Sequence, residues 1–253
     1  MNTSLQGQKI LVTRERHQMN EMSKLIRERD GVPLEVPLLK ITCHQQVQVD
    51  PLASYSWLIF TSANGVRCFF QHVKDPIPSN IHIAAVGKKT ENVIRSYGND
   101  VHFVPTTYNA ETMMDELFRL YPDADNFLVI RGNISRPVIP DQLAKRNRSY
   151  TLLELYETVP FIENKQLLIE VLTANKLDFL SFTSPSAVRA FIELTKEAEQ
   201  FDQFLTIPVV CIGTTTEKEA KRQTFQTTIV PDTFTVEQMV EEMITYNQME
   251  GSY

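Results

Sequence analysis

The sequence predicts an α/β protein made of two similar doubly wound parallel-sheet domains. Three observations carry that expectation. The chain echoes itself at about half its length, short apolar runs alternate with stretches of helical period, and those runs end on Thr, Ser or Gly. The first echo sets Leu58-Ile59-Phe60-Thr61-Ser62 beside Leu180-Ser181-Phe182-Thr183-Ser184, 122 positions on, with Val66, Arg67 and Phe69 answered by Val188, Arg189 and Phe191. The second sets residues 87–117 beside 213–243, where Gly87, Thr90, Glu91, Val104, Pro105, Thr107, Glu111, Met113 and Glu116 each meet their own residue type. Average composition would produce about two such matches. A weaker echo relates Leu11-Val12-Thr13-Arg14 to Leu128-Val129-Ile130-Arg131.

In chain order, Lys9–Thr13 reads as a buried strand, and Met22, Leu25, Ile26 and Arg29 follow with helical spacing. Val32–Thr42, punctuated by Pro33 and Pro37, reads as an extended segment passing between bodies, and the polar stretch 43–56 continues it. Trp57–Phe60, Ile81–Val86 and Phe127–Arg131 are further strands. Tyr150–Val159, closed by Pro160, is a second long extended segment. Asp178–Phe182 and Pro208–Ile212 complete the set, the former followed by the helical pattern Val188, Phe191, Ile192. Strands of four to six residues alternating with helices imply parallel sheets covered on both faces. The halves read as a β-α-β unit (9–40), three β-α steps (57–120), a second such unit (127–160) and three further steps (178–246). Periodicity leaves open which unit joins which set of steps.

Composition bounds the function without naming it. The chain has 253 residues, 42% of them apolar and 22% charged, with 25 basic against 31 acidic groups for a net charge of −6. That balance is no footprint for nucleic acid, and no apolar run reaches the ~18 residues of a membrane helix. The N-terminus shows no signal-peptide apolar region, so a cytoplasmic protein is expected. Cys43, Cys68 and Cys211 are odd in number and widely spaced, and are expected as three reduced thiols rather than a disulfide framework or zinc site. The five histidines show no metal-ligand spacing, and no GxGxxG or GxSxG occurs. Val86-Gly87-Lys88-Lys89-Thr90 ends like a P-loop, but His82 stands where the first Gly is needed. Lys145-Arg146-Asn147-Arg148 reads as a solvated helix end. What remains is hydroxyls, glycines and a few cations at strand C-termini, the edge where open α/β sheets bind ligands.

Those motifs, taken together and in order, resemble the uroporphyrinogen-III synthase family. They are Leu11-Val12-Thr13-Arg14, Phe60-Thr61-Ser62, Val86-Gly87-Lys88-Lys89-Thr90, Arg131-Gly132, Leu155-Tyr156-Glu157-Thr158, Phe182-Thr183-Ser184-Pro185-Ser186-Ala187-Val188 and Ile212-Gly213-Thr214-Thr215-Thr216. The chain departs from the family pattern at Glu15, where a Pro is usual, and at Glu91 and Glu217, where an Ala is usual. It also lacks the helix-end glycines expected near Arg148 and Gln223.

The resemblance implies two α/β domains joined by a two-stranded connection, the first built from residues 1–38 and 161–253 and the second from 39–160, with crossings near 36–42 and 156–160. It implies a substrate, hydroxymethylbilane, with four acetate and four propionate groups, bound in the cleft between domains. The product is uroporphyrinogen III, formed with loss of water and inversion of the last pyrrole ring, using no metal or organic cofactor. A monomer in transient contact with the preceding pathway enzyme is the expected assembly, without nucleic acid or membrane. Tyr156 matches the family tyrosine at the crossing and is the expected catalytic group. Its phenol, with an unperturbed pKa of about 10, suits a proton or hydrogen-bond donor to the departing hydroxyl.

Ser62, Thr90, Ser184, Thr215 and Thr216 fall at strand–helix junctions, where a hydroxyl caps the helix. Free N–H groups at the same helix ends bind carboxylates, so these residues are expected to hold substrate. A protein at −6 repels a polyacid unless the site is locally positive. Arg14, Lys88 and Arg131, with Arg16, His17 and Lys89 nearby, are the expected cations. A non-catalytic two-lobed module binding a small anion, and a scaffold derived from the family, are the competing readings.

Overall fold

The structure, a computed structural model, describes residues 4–14 and 16–250, without the side chains of residues 16–18 and 250. The sequence-predicted contributions of Arg16 and His17 as cations therefore lie outside the described residues. The chain divides into two compact units, the first comprising Met1–Lys40 with Val159–Tyr253 and the second Ile41–Thr158.

The chain opens with β1 (Lys9–Val12), α1 (Arg16–Glu28), β2 (Val32–Glu35) and β3 (Leu39–Cys43). It continues through β4 (Trp57–Phe60), α2 (Ala63–His72), β5 (His82–Ala85), α3 (Lys88–Ser96), α4 (Ala110–Leu120), β6 (Phe127–Gly132), α5 (Val138–Lys145) and β7 (Tyr150–Pro160). After the return come α6 (Lys165–Ala174), β8 (Phe179–Phe182), α7 (Pro185–Thr195), α8 (Phe201–Phe204), β9 (Val209–Cys211), α9 (Thr214–Arg222), β10 (Thr228–Ile229) and α10 (Val236–Glu250).

The first unit holds a sheet in the order β10-β9-β8-β1-β2, all pairs parallel. Side chains alternate across it, as a period of two requires. Leu11, Leu180 and Phe182 face the cluster covered by α6, α7 and α9, whereas Ile10, Val12 and Phe179 face the one covered by α1 and α10. In the second unit the order is β3-β7-β6-β4-β5. Leu58 and Phe60 pack with Val66 and Phe69 of α2 and Ile94 of α3, while Trp57 and Ile59 pack with Met113 and Leu117 of α4 and Leu143 of α5. Both sheets are covered on both faces. The third β-α step differs between the units: the first has β10, the second only a single bridge between Ala84 and Phe103. Two strands, β3 and β7, connect the units; His44 N–H donates to the Leu155 carbonyl (2.9 Å) and Phe161 N–H to the Leu38 carbonyl (2.8 Å), a common antiparallel register.

The missing helix-end glycines have a local explanation. Asn147 and Thr224 take the left-handed conformation after α5 and α9, with φ of 53° and 65°. At α9 the Phe225 N–H reaches back to the Ala220 carbonyl (3.3 Å), closing the helix as a glycine would allow at lower strain. Asn tolerates this region; a β-branched Thr does so at a cost.

Cys43 and Cys68 form a disulfide, with Cα atoms 5.5 Å apart and a sequence separation of 25. This corrects the expectation of three reduced thiols. Strand β3 and helix α2 pack on one apolar cluster, which brings the two sulfurs together, and spacing along the chain carries no trace of it. Cys211 remains free and buried, and burial pushes its thiol up to about 12.

Two outcomes are expected. In the oxidised protein, thiol titration in denaturant finds Cys211 alone among the three, and reduction lowers stability by about 3 kcal/mol by releasing the closed loop, read from the urea midpoint. Thr224→Gly raises stability by roughly 1 kcal/mol, because the strain relieved exceeds the added freedom of the unfolded chain.

Candidate functional site

Strand β4 ends at Phe60, and the chain turns into α2 through Thr61 and Ser62. The Thr61 hydroxyl donates to the Ile130 carbonyl (2.9 Å), fastening the turn to β6. Ser62 is the N-cap of α2, its Oγ accepting from the Gly65 N–H (3.0 Å). On that cap rests Tyr156: its phenol oxygen lies 2.8 Å from Ser62 Oγ.

Tyr156 reaches the cap because β7 slips. Along β6 and β7, Ile130 faces Leu153 and Arg131 faces Glu154, but Gly132 faces Tyr156, the register having shifted by one. Before the slip, buried Leu153 alternates with exposed Glu154; after it, Leu155 and Tyr156 are both buried. Such irregularities re-aim a side chain beside functional sites. The ring then lies on bare backbone. A Cβ at Gly132 would stand 2.5 Å from Tyr156 Cε2 and closer still to Cζ, which no side chain permits. Beyond Gly132 the turn grips the strand: Asn133 N–H donates to the Tyr156 carbonyl (3.1 Å), and Thr158 N–H donates to Asn133 Oδ1 (3.0 Å). Arg131 Nη2 donates to the Ser135 carbonyl (2.6 Å), so this guanidinium closes the same turn.

The first unit repeats the cap without the phenol. Ser184 is the N-cap of α7, accepting from Ala187 N–H (3.1 Å). Thr13 Oγ1 donates to the Ser181 carbonyl and Ser181 Oγ to the Leu11 carbonyl, both at 2.7 Å. The strand end beside them carries Val36, Pro37 and Leu38, none with a hydroxyl.

A third and fourth junction are matched across the units. Gly87 caps α3 and Gly213 caps α9, each in extended backbone. A Cβ on either would come within 3.2 Å of an aromatic side chain, Tyr108 and Phe234 respectively, both of which are more than half exposed. Thr90 and Thr216 are not the caps the sequence led us to expect. They sit buried in the first turns, because glycine lets the chain enter the helix three residues earlier. Thr215 is exposed. Lys88 Nζ pairs with Glu91 Oε2 at 2.9 Å, and Arg95 Nε with Glu91 Oε1 at 3.0 Å. Hydrogen bonds from Lys88 and then Arg95 hold the Glu91 carboxyl below the usual carboxylate range, against its burial. The Glu91 departure thus neutralises a cation expected for substrate. Arg14 pairs with Glu21 at 3.3 Å, and Lys89 is exposed. A separate cavity of about 480 Å³, lined by Val49, Leu52, His72, Val73 and Pro76 among others, includes none of the sequence-predicted site residues.

The comparisons with known proteins decide the family. A family model described as uroporphyrinogen-III synthase HemD matches residues 20–241. The chain belongs to this family. A uroporphyrinogen-III synthase from Chlorobaculum parvum is 28% identical over 232 residues, covering 89% of this chain and 93% of the relative. Among solved structures, a uroporphyrinogen-III synthetase from Helicobacter pylori 26695 aligns over 95% of this chain and 99% of its own, with a TM-score of 0.64 at 18% identity. A mutant uroporphyrinogen III synthase from Thermus thermophilus covers 96% of this chain and 100% of its own, with a TM-score of 0.58 at 16% identity. These two likenesses bear on the fold, a two-domain α/β architecture.

Sequence reasoning named Tyr156 and Ser62 but not Gly65, Gly132 or Asn133, which complete their surroundings. The signal was present in the echoes: Gly65 answers Ala187 and Gly132 answers Glu15, so glycine replaces a side chain twice in the half that carries the tyrosine.

The ion pairs of Glu91 make a pH prediction. Its folded pKa lies below its unfolded one, so its contribution to stability is complete above the carboxylate range and is lost as pH falls through the lowered value. Glu91→Gln should lower the melting temperature by a few degrees near neutrality, with the gap to the parent narrowing in calorimetric scans as pH falls through and below the ordinary carboxylate range.

Proposed function

We propose that this chain cyclises hydroxymethylbilane to uroporphyrinogen III, with Tyr156 as the group that manages the proton of the departing hydroxyl. The observation that carries this reading is a buried phenol set on a helix N-cap in a member of this family. The pyrrole nitrogen pushes electrons as the C–O bond breaks, the phenol gives its proton to the leaving oxygen, and water departs. The resulting azafulvene is attacked by the substituted α-carbon of the last ring. Fragmentation of the spiro intermediate and re-closure then expel a ring proton, which returns to the tyrosinate and restores the enzyme. The protein's contribution is a positioned acid and a template favouring the hindered attack.

The net charge of −6 is reconciled with a polyacidic substrate through backbone donors. The N-termini of α2, α3, α7 and α9 end in Ser62, Gly87, Ser184 and Gly213, and first-turn N–H groups bind carboxylates without a charged side chain. Ser62, Ser184, Thr90, Thr215 and Thr216 belong to this set in our reading, with Arg14, Lys88 and Arg131 orienting the turns through their own partners. No cofactor enters the scheme, because the pyrrole supplies the electrons. Among the described residues no helix is long and apolar enough to cross a membrane. We place the enzyme in the cytoplasm as a monomer that takes its unstable substrate by transient contact with the enzyme producing it.

Freshly prepared hydroxymethylbilane provides the test. Isomer III is the expected product, and isomer I alone would leave only the anion-binding and scaffold readings. Tyr156→Phe should lower kcat roughly tenfold to a hundredfold with KM within about twofold, and an unchanged kcat removes Tyr156 from the mechanism.

A further inference from the structure

The internal repeat offers a control that a single domain would lack. The N-cap serine recurs as Ser62 and Ser184, each accepting from the N–H three residues on. Of the two, Ser62 has a phenol at hydrogen-bond distance among the described residues, and glycine lies beside that phenol at two positions. Gly65 stands where the other half has Ala187, and Gly132 where it has Glu15. Neither α2 nor β6 needs its glycine for its conformation: among the described residues, the positive-φ glycines are Gly7 and Gly98. Glycine in a helix or strand interior is destabilising. The space above Gly132 is already filled by the Tyr156 ring, with Cε2 and the phenol oxygen at 2.5 and 2.9 Å from where a Cβ would lie and Cζ nearer still. Gly65 is gentler, its Cβ site being 3.6 Å from Tyr156 Cε1.

We propose that Gly132 is a positioning residue for the reaction, forming with Ser62 a seat that holds the Tyr156 phenol in one orientation. The proposal rests on the reading of Tyr156 given above. Ser62 Oγ already accepts the Gly65 N–H at the start of α2. That bond polarises the hydroxyl toward donation, and Ser62 then donates to the phenol oxygen and supports it as its proton leaves. Gly132 sets the depth of the ring and the slip in register that brings it there. Asn133, bonded to the backbone at both Tyr156 and Thr158, keeps the strand from sliding back. Any side chain at position 132 lifts the ring off Ser62.

The experiment labels the tyrosines of the full chain with ¹³C at Cζ and identifies the Tyr156 resonance by its loss in Tyr156→Phe. In Gly132→Ala and in Ser62→Ala that resonance should move, and in Ser62→Thr, which keeps the hydroxyl, it should return toward the parent position. Turnover should fall in Gly132→Ala to about the level of Tyr156→Phe, with KM within about twofold and a larger share of isomer I. The double variant Gly132→Ala/Tyr156→Phe should be no slower than Tyr156→Phe, because both changes remove one function. Losses that multiply in the double variant overturn the proposal, as does a Gly132→Ala protein with the parent resonance. If Gly132→Ala fails to fold, the Ser62→Ala and Ser62→Thr pair decides by the same resonance and by the same cycle with Tyr156→Phe. The resonance reads the seat even where turnover does not depend on Tyr156, and isomer III formation by the parent protein separately tests the synthase reading.

Discussion

A hydroxyl at a helix start is a common way to satisfy backbone donors that have no partner within the helix. In the second unit that ordinary contact is put to further use, because the capping oxygen of Ser62 also meets the phenol of Tyr156. Much else in this half follows from keeping the two together. The strand carrying the tyrosine shifts register against β6, the turn after β6 is closed by Arg131 and Ser135, and the floor beneath the ring is glycine. The first unit has the same cap at Ser184, pairs β1 with β2 in unbroken register from Lys9 to Val12, and carries Ala187 and Glu15 where the second has Gly65 and Gly132, so the slip and the glycine floor are not demands of the cap.

The charge arrangement shows a similar division of labour. Three of the side-chain cations that the sequence offered to an acidic ligand are engaged within the protein: Lys88 with Glu91, Arg14 with Glu21, and Arg131 with carbonyls of its own turn. What the helix starts still offer is peptide N–H groups. These give a flexible polyacid directional contacts without the desolvation penalty of burying ammonium or guanidinium groups.

Most of the architecture was legible because it rests on local patterns. The alternation of short apolar strands with helices, and Ser or Gly at each junction, predicted the strands at Lys9, Trp57, Phe127 and Phe179 and the caps at Ser62 and Ser184. Caps at Gly87 and Gly213 were assigned to the threonines that follow them, because a hydroxyl is a stronger sequence signal than a glycine whose own carbonyl begins the helix. The disulfide escaped notice because Cys43 and Cys68 meet only through packing of a strand on a helix. Gly132 escaped for the same kind of reason: its meaning lies in a ring that sits 24 positions away along the chain. Non-local contact is what a linear reading lacks. The internal repeat partly substitutes for it, since each half shows what the other would be without its special residues.

The antiparallel run of β3 beside β7 also bears on how such a molecule arises. The chain leaves the first unit after Lys40 and comes back at Val159, and the hydrogen bonds flanking those points join neighbouring strands. Either unit can therefore be severed from the other with its cut ends side by side. A tight turn joining residue 40 to residue 159 would make the first unit an uninterrupted gene product, and the excised segment could be closed head to tail. The inserted segment, however, runs its three β-α steps before its β-α-β unit, the reverse of the first unit, so a tandem duplication whose copies exchange partners accounts for the order, and insertion of one whole copy into the other does not.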